Sequence, residues 1–155
     1  MSAFTVYFAF GSNLHEPQMR ARCPDCEVLG PATVAGYRLA FRGESKRWDA
    51  GGVATILPSP KGEVQGLLYR LSPGDLASLN GYEGYPHVYT HLPVDVQPHG
   101  GALQAALTYQ RRNGKARAPS LRYFHQIWRG YKTYRLDERL LMAALEETLP
   151  EAPQG

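Results

Sequence analysis

Short runs of hydrophobic residues in the first two thirds of the chain predict β-strands. Between residues 88 and 96 every second residue is Val, Thr or Leu, so these side chains would share one face of a half-buried strand. Segments rich in Gly and Pro, at 58–63 and 97–101, separate such runs and predict turns. The predicted strands are residues 5–10, 34–41, 52–57, 64–71, 88–96 and 103–109.

Helices are predicted from the signals at their ends. Ser72 can cap a short helix in which Pro73 suits the first position, Asp75 faces the positive end of the dipole, and Gly81 is the stop. Two further helices are predicted, one from the Ser120 cap to Gly130 and one between Asp137 and Pro150. Strands followed by terminal helices indicate an α+β domain with a mostly antiparallel sheet that could curl into a barrel.

Length and composition fit one globular domain. The 155 residues are 43% hydrophobic and 20% charged, and no apolar run reaches the roughly 20 residues of a membrane span. We therefore expect a single domain over residues 1–155, with a disordered tail from about residue 150. The first residues lack the pattern of a signal peptide, so we expect a cytoplasmic protein that contacts no membrane.

Charge is distributed unevenly along the chain. The formal net charge is +3, but residues 111–135 contain eight Lys or Arg and no acidic residue, which leaves the remainder at −5. This segment could attract nucleic acid or a small carboxylate. A solvated helix face is the favoured alternative, because Leu121, Phe124, Ile127 and Trp128 resemble the buried stripe of a helix. We predict no nucleic-acid partner.

Two cysteines, Cys23 and Cys26, have the spacing of a metal or redox site, but no second Cys/His pair completes a zinc site. We interpret them as two reduced thiols in a loop. His87 and His91, four apart in a strand, would lie about 13 Å apart, too far for an easy shared metal. No metal is predicted. Without a GxGxxG motif or a P-loop, the sequence predicts no nucleotide cofactor either.

The first predicted strand ends in a bend of small residues, Gly11, Ser12 and Asn13. Gly lets backbone approach a ligand closely, and successive N–H groups in such a bend can cradle an anion or a carbonyl oxygen. The alternative is an ordinary turn in which Asn13 caps the helix that Pro17 begins. Ser12 is a poor candidate nucleophile, since the GxSxG pattern is incomplete.

Glu83 is the second candidate for chemistry. It lies two residues beyond the predicted helix stop, among Tyr82, Tyr85 and Tyr89. A loop carboxylate is usually a solvated charge, but aromatic neighbours that exclude water would raise its pKa toward the range useful for general acid/base catalysis. Tyr109 and Tyr123 could line a pocket, or pack at the edge of the core.

These motifs resemble the γ-glutamylcyclotransferase (AIG2-like) family, whose members carry a Tyr-Gly-Ser-Asn-Leu loop after the first strand and a Glu-Gly pair after a short helix. The matching stretches are FGSNL at 10–14, residues 51–84, Tyr89, LTYQ and PSLRY, in order over about residues 5–145. Two departures stand out: Phe10 replaces the usual Tyr, and Asn80 stands where Asp is common.

The resemblance implies a cofactor-independent enzyme that cyclises a γ-glutamyl amide to 5-oxoproline and releases an amine or amino acid. It implies a small mixed, mostly antiparallel β-barrel with a few helices packed around it. It also implies Glu83 as the catalytic acid/base in a cavity at one end of this barrel, and we expect a monomer or homodimer. The substrate-binding residues it implies are Phe10, Gly11, Ser12, Asn13, Leu14, Tyr89, Tyr109 and Tyr123. The alternative is a non-catalytic module that binds a γ-glutamyl-like metabolite in the same cavity.

Overall fold

The computed structural model describes residues 3–150, in which five strands close into a barrel and four α-helices pack around it. The strands are β1 (Thr5–Ala9), β2 (Glu27–Ser45), β3 (Gly51–Leu71), β4 (Thr90–Pro98) and β5 (Gln104–Gln110). The helices are α1 (Glu16–Arg22), α2 (Pro73–Glu83), α3 (Leu121–Tyr134) and α4 (Glu138–Glu146). Apart from Pro150, the predicted disordered tail lies outside the described residues.

The strand order is β1-β3-β2-β4-β5, and the barrel closes between β5 and β1. Every neighbouring pair is antiparallel except β1 and β5, which run parallel with Tyr7 beside Leu107. The predicted α+β class with a mixed, mostly antiparallel barrel is confirmed. Closure pairs β1, the first strand, with β5, the last.

Two predicted strand boundaries are wrong. The segments 52–57 and 64–71 belong to one strand, β3, and β2 starts at Glu27 instead of residue 34. Residues 58–63, predicted to be a turn, stay in the strand, and the pairing register shifts between Ala35 and Tyr37. The strand can continue here because proline is tolerated at such irregularities of a strand. The long pairing of β2 with β3 also gives hydrogen-bond partners to backbone N–H and C=O groups that a turn would expose.

All three predicted side-chain caps of the later helices are confirmed. Ser72 Oγ accepts from the Asp75 amide at 3.1 Å, and Ser120 Oγ accepts from the Tyr123 amide at 3.3 Å. Asp137 caps α4 in the same way through the Arg139 amide. Each satisfies an N–H group that the first helical turn leaves without a partner.

Both predicted glycine stops are wrong. The α2 helix continues through Gly81 to Glu83 and ends at Gly84, which adopts the left-handed conformation. The α3 helix continues through Gly130 to Tyr134. Gly130 lies against Leu14, and a Cβ there would come within 2.4 Å of the Leu14 Cβ, so this glycine serves a close contact between elements.

The predicted buried stripe of α3 is only partly right. Ile127 is fully buried, whereas Leu121 is 88% exposed and Trp128 is half-buried. The core-facing side of the helix is formed by Tyr123, Ile127, Gly130 and Tyr131. Among residues 3–150, no helix combines the length and apolar character needed to cross a bilayer.

Candidate active site

A cavity of about 380 Å³ lies where the end of β1, the 3₁₀ turn at Ser12–Leu14 and the end of α2 meet. It brings together most of the residues that the sequence suggested. Those that line it are Phe10, Gly11, Ser12, Asn13, Glu83, Tyr89, Tyr109 and Tyr123. Leu14 does not line the cavity; it is fully buried and packs against Gly130.

Glu83 is the last residue of α2 and directs its carboxylate toward the Ser12–Leu14 turn. Asn13 Nδ2 donates to Glu83 Oε1 at 3.4 Å, although the two residues are 70 positions apart. Burial raises the pKa of Glu83 to about 7, while the charges of Arg22 and Arg47 and the bond from Asn13 act in the opposite direction. A carboxyl that titrates there can both accept and return a proton near neutral pH.

The aromatic enclosure of Glu83 differs from the predicted one. Tyr82 and Tyr85 are 44% and 40% exposed, and of the two only Tyr82 lines the cavity. Tyr89, the third predicted neighbour, is buried and lines the cavity, as do Tyr7, Tyr109 and Tyr123. Burial raises the pKa of each of these four phenols, and the charge of Glu83 raises it further.

Asn13 is held from both ends of its side chain. Its Oδ1 accepts from Gln18 Nε2 at 3.1 Å and from Arg22 Nη1 at 3.2 Å. Its Nδ2 donates to Tyr7 Oη at 3.0 Å as well as to Glu83. Asn13 therefore does not cap α1, which begins after His15 without a side-chain cap, and that alternative is wrong.

The amides of the bend differ in what they can bind. The Leu14 N–H donates to the Gly11 carbonyl at 3.0 Å and is not available to a ligand. The Ser12 and Asn13 amides are the first N–H groups of the 3₁₀ turn and have no partner inside it. A Cβ on Gly11 would lie 3.2 Å from the Ala54 Cβ, so the glycine permits the bend to pack closely.

Two tyrosines bond to the backbone of Ala54 at the cavity wall. Tyr89 Oη donates to the Ala54 carbonyl at 2.7 Å, while the Ala54 N–H donates to Tyr123 Oη at 2.8 Å. A phenol has one proton to give. Tyr89 has therefore used its proton, whereas Tyr123 accepts here and keeps its own proton for another acceptor.

Four cationic side chains also line the cavity, namely Arg22, Lys46, Arg47 and Arg111. In the part of the chain that the structure describes, none of them forms an ion pair. The sequence analysis did not identify Arg22, Lys46, Arg47 or Tyr7 as lining residues. No local sequence pattern links α1 or the 3₁₀ turn at Lys46–Trp48 to Glu83. The cavity thus has a positive lining suited to a substrate that carries a carboxylate.

The basic segment 111–135 does not act as one surface toward the cavity. Of its eight cationic residues only Arg111 lines the cavity. Others form ion pairs: Arg117 with Glu44, Arg122 with Asp49, and Lys132 with Glu138. The interpretation of this segment as partly a solvated face agrees with these contacts.

The remaining candidates lie apart from this chemistry. Cys23 and Cys26 are free thiols, as predicted, but both are buried. His91 Nε2 lies 2.8 Å from Asn80 Oδ1, and His87 is exposed. Between residues 3 and 150, no three His, Cys, Asp or Glu side chains come close enough together to hold a metal ion.

Comparison with known proteins assigns the family. A family model described as gamma-glutamyl cyclotransferase, AIG2-like, matches residues 7–143. The chain belongs to this family. It is 31% identical to the γ-glutamylcyclotransferase of Bos taurus over 131 residues, and 33% identical to that of Mus musculus over 132 residues. Each alignment covers 82% of this chain and 70% of the relative.

A solved structure titled "Gamma-glutamyl cyclotransferase" has the same fold, with a TM-score of 0.85 and 28% sequence identity. The match covers 99% of this chain and 92% of that one. An uncharacterised protein from Homo sapiens has a TM-score of 0.83 and 29% identity, over 98% of this chain and 92% of its own. The predicted family, fold and class of enzyme are thereby confirmed.

Proposed function

We propose that the protein cyclises a γ-glutamyl amide to 5-oxoproline and releases the attached amine or amino acid, with Glu83 as general base and then general acid. The observation that carries this proposal is the position of the Glu83 carboxylate. It lies in the cavity at 3.4 Å from Asn13 Nδ2 of the Ser12–Leu14 turn, and burial raises its pKa to about 7.

The reaction needs little beyond positioning and proton transfer. The α-amine of the glutamyl group attacks its own γ-carbonyl carbon, a new C–N bond closes the five-membered ring, and the original amide C–N bond breaks. Because the nucleophile is tethered to the electrophile, holding the substrate in the folded conformation supplies much of the acceleration. The proposal requires no metal and no cofactor.

Glu83 would make both proton transfers. The α-amine is mostly an ammonium near neutral pH and cannot attack until it loses a proton, which the Glu83 carboxylate accepts. The same carboxyl then gives this proton to the departing nitrogen. The ring nitrogen loses one more proton as it becomes the lactam N–H, and this proton ends on the released amine, which leaves as an ammonium. With a pKa of about 7, Glu83 can make both transfers near neutral pH.

The lining would bind the charged parts of the substrate. The Ser12 and Asn13 amides, together with the positive side chains of Arg22 and Arg47, would bind its anionic oxygens. The Tyr123 hydroxyl keeps a proton to donate to the same oxygens. Each of these groups is in place before the substrate binds, so little reorganisation is needed during the reaction.

A substrate panel tests the proposal. Purified protein is incubated with γ-glutamyl amino acids, γ-glutamyl polyamines, a γ-glutamyl-lysine isopeptide and glutathione, and 5-oxoproline is measured by mass spectrometry. Glu83→Gln keeps the shape of the side chain but cannot accept the proton, so turnover should fall by about 10²- to 10⁴-fold. Glu63→Gln, at an exposed glutamate of β3, should retain full turnover.

The outcomes separate the enzyme from its alternative. Undiminished turnover by Glu83→Gln would remove Glu83 from the mechanism, provided that thermal unfolding of the variant matches wild type. Tight binding of a panel member without any 5-oxoproline would favour the non-catalytic binding module.

We also propose that the protein acts in the cytoplasm as a monomer or homodimer without a nucleic-acid partner. Fractionation of cells and analytical ultracentrifugation test the location and the oligomeric state. The proposed absence of a nucleic-acid partner would be contradicted by an affinity for nucleic acid that falls steeply with salt and depends on residues 111–135.

A further inference from the structure

A hydrogen-bonded cluster of Asn80, His91 and Tyr109 lies next to the cavity. Tyr109 Oη donates to Asn80 Oδ1 at 2.5 Å, and His91 Nε2 lies 2.8 Å from the same oxygen. His91 and Tyr109 are directly opposed across β4 and β5, and the Tyr85 ring stacks on the imidazole at 3.9 Å between centroids. Asn80 thus links α2 to His91 of β4 and to Tyr109 of β5, and Tyr109 lines the cavity.

The donors and acceptors in this cluster can be assigned. Asn80 Oδ1 is only an acceptor, so both neighbours must donate to it, His91 through a protonated Nε2. These two bonds occupy both lone pairs of the amide oxygen. The single proton of Tyr109 is therefore committed to Asn80, and the phenolic oxygen offers only lone pairs to the cavity that it lines.

We propose that Asn80, held by His91, is a positioning residue that makes Tyr109 an obligate hydrogen-bond acceptor for an N–H group of the substrate. This inference rests on the proposed function, in which the substrate brings two nitrogens with protons, the α-ammonium and the scissile amide. Tyr109 would orient one of them beside Glu83, which lies one helical turn after Asn80.

The amide at position 80 has a second consequence for Glu83. A carboxylate in that position, about 6 Å away along the helix, would add a negative charge and raise the pKa of Glu83 further. Asn80 supplies the same acceptor oxygen without the charge. Asn80 therefore accepts the two hydrogen bonds and favours ionised Glu83 at neutral pH.

A double-mutant cycle on the full chain distinguishes positioning from a merely structural role. Tyr109→Phe and Asn80→Ala should each lower kcat/KM, by roughly 3- to 10-fold for one hydrogen bond. If Asn80 acts through Tyr109, the double variant should be no worse than Tyr109→Phe alone. Losses that multiply in the double variant would overturn the proposal.

Asn80→Asp tests the acceptor independently. This variant restores the acceptor oxygen that Asn80→Ala removes, so kcat/KM at high pH should return toward the wild-type value. The added negative charge should move the acid limb of the pH profile up by about 0.5 to 2 pH units. Failure to recover at any pH, with unchanged thermal unfolding, would contradict the acceptor role.

The ¹⁵N NMR spectrum of His91 supplies a readout that does not depend on turnover. The cluster requires a proton on Nε2 of His91, and the Nε2 resonance should shift in Asn80→Ala. A proton on Nδ1 instead would overturn the arrangement. Absence of 5-oxoproline from wild type would contradict the proposed function, and the NMR result would still decide whether the cluster exists.

Discussion

Substitution of Gly130 by Ala tests how the helix α3 holds the Ser12–Leu14 turn. Gly130 is buried inside the helix, and a Cβ at this position would lie 2.4 Å from the Leu14 Cβ and 3.1 Å from the Leu14 carbonyl carbon and oxygen. These atoms belong to or adjoin the backbone and cannot rotate away. The turn or the helix would have to move, and the turn carries Asn13.

Two opposing terms set the magnitude. Replacing a helical Gly by Ala stabilises a helix by about 1 kcal/mol, because the unfolded chain loses freedom. Overpacking a core costs about 1 to 3 kcal/mol. Since the clash at Leu14 involves backbone, the upper end applies, and the net loss should be about 2 kcal/mol. For a chain of this size that lowers Tm by about 4 to 8 °C.

Thermal unfolding followed by circular dichroism measures the change, with kcat/KM measured beside it. The control for stability is Gly81→Ala, also inside a helix, where a new Cβ meets no atom within 4 Å; it should raise the free energy of unfolding by about 1 kcal/mol. A Gly130→Ala protein at least as stable as wild type would refute the steric reasoning. So would full activity, since the Asn13 contact with Glu83 is already 3.4 Å long.

Three further predictions follow from burial and charge. Because Glu83 must be ionised to act as a base, kcat/KM should fall as pH drops through about 7, and a flat profile there would contradict the assigned role. Arg47→Gln removes a positive charge that lowers the pKa of Glu83, so this acid limb should move to higher pH; a shift to lower pH would contradict the electrostatics. Cys23 and Cys26 are buried, and burial raises the pKa of Cys23 to about 12. A thiol reagent should therefore label neither cysteine in the folded protein and both after unfolding. Labelling of the folded protein would contradict this burial.

The amino-acid sequence by itself determined the features that depend on neighbours along the chain. Caps at Ser72, Ser120 and Asp137 were predictable because a side-chain oxygen reaches an amide two or three residues away. The bend at Gly11 and the resemblance of the Glu83 motif to the γ-glutamylcyclotransferase family also came from short stretches, as did the α+β class.

Only the tertiary structure decided what each of those residues meets. The sequence predicted Gly130 as the end of a helix, but in the structure this glycine allows α3 to pack closely against Leu14. Asn13 looked like a cap, but the fold places it beside Glu83, 70 positions away. The cationic lining from Arg22 and Arg47 had no local signal. Burial, and with it the raised pKa of Glu83, depends on elements distant in sequence, so no pattern of neighbouring residues could have specified it.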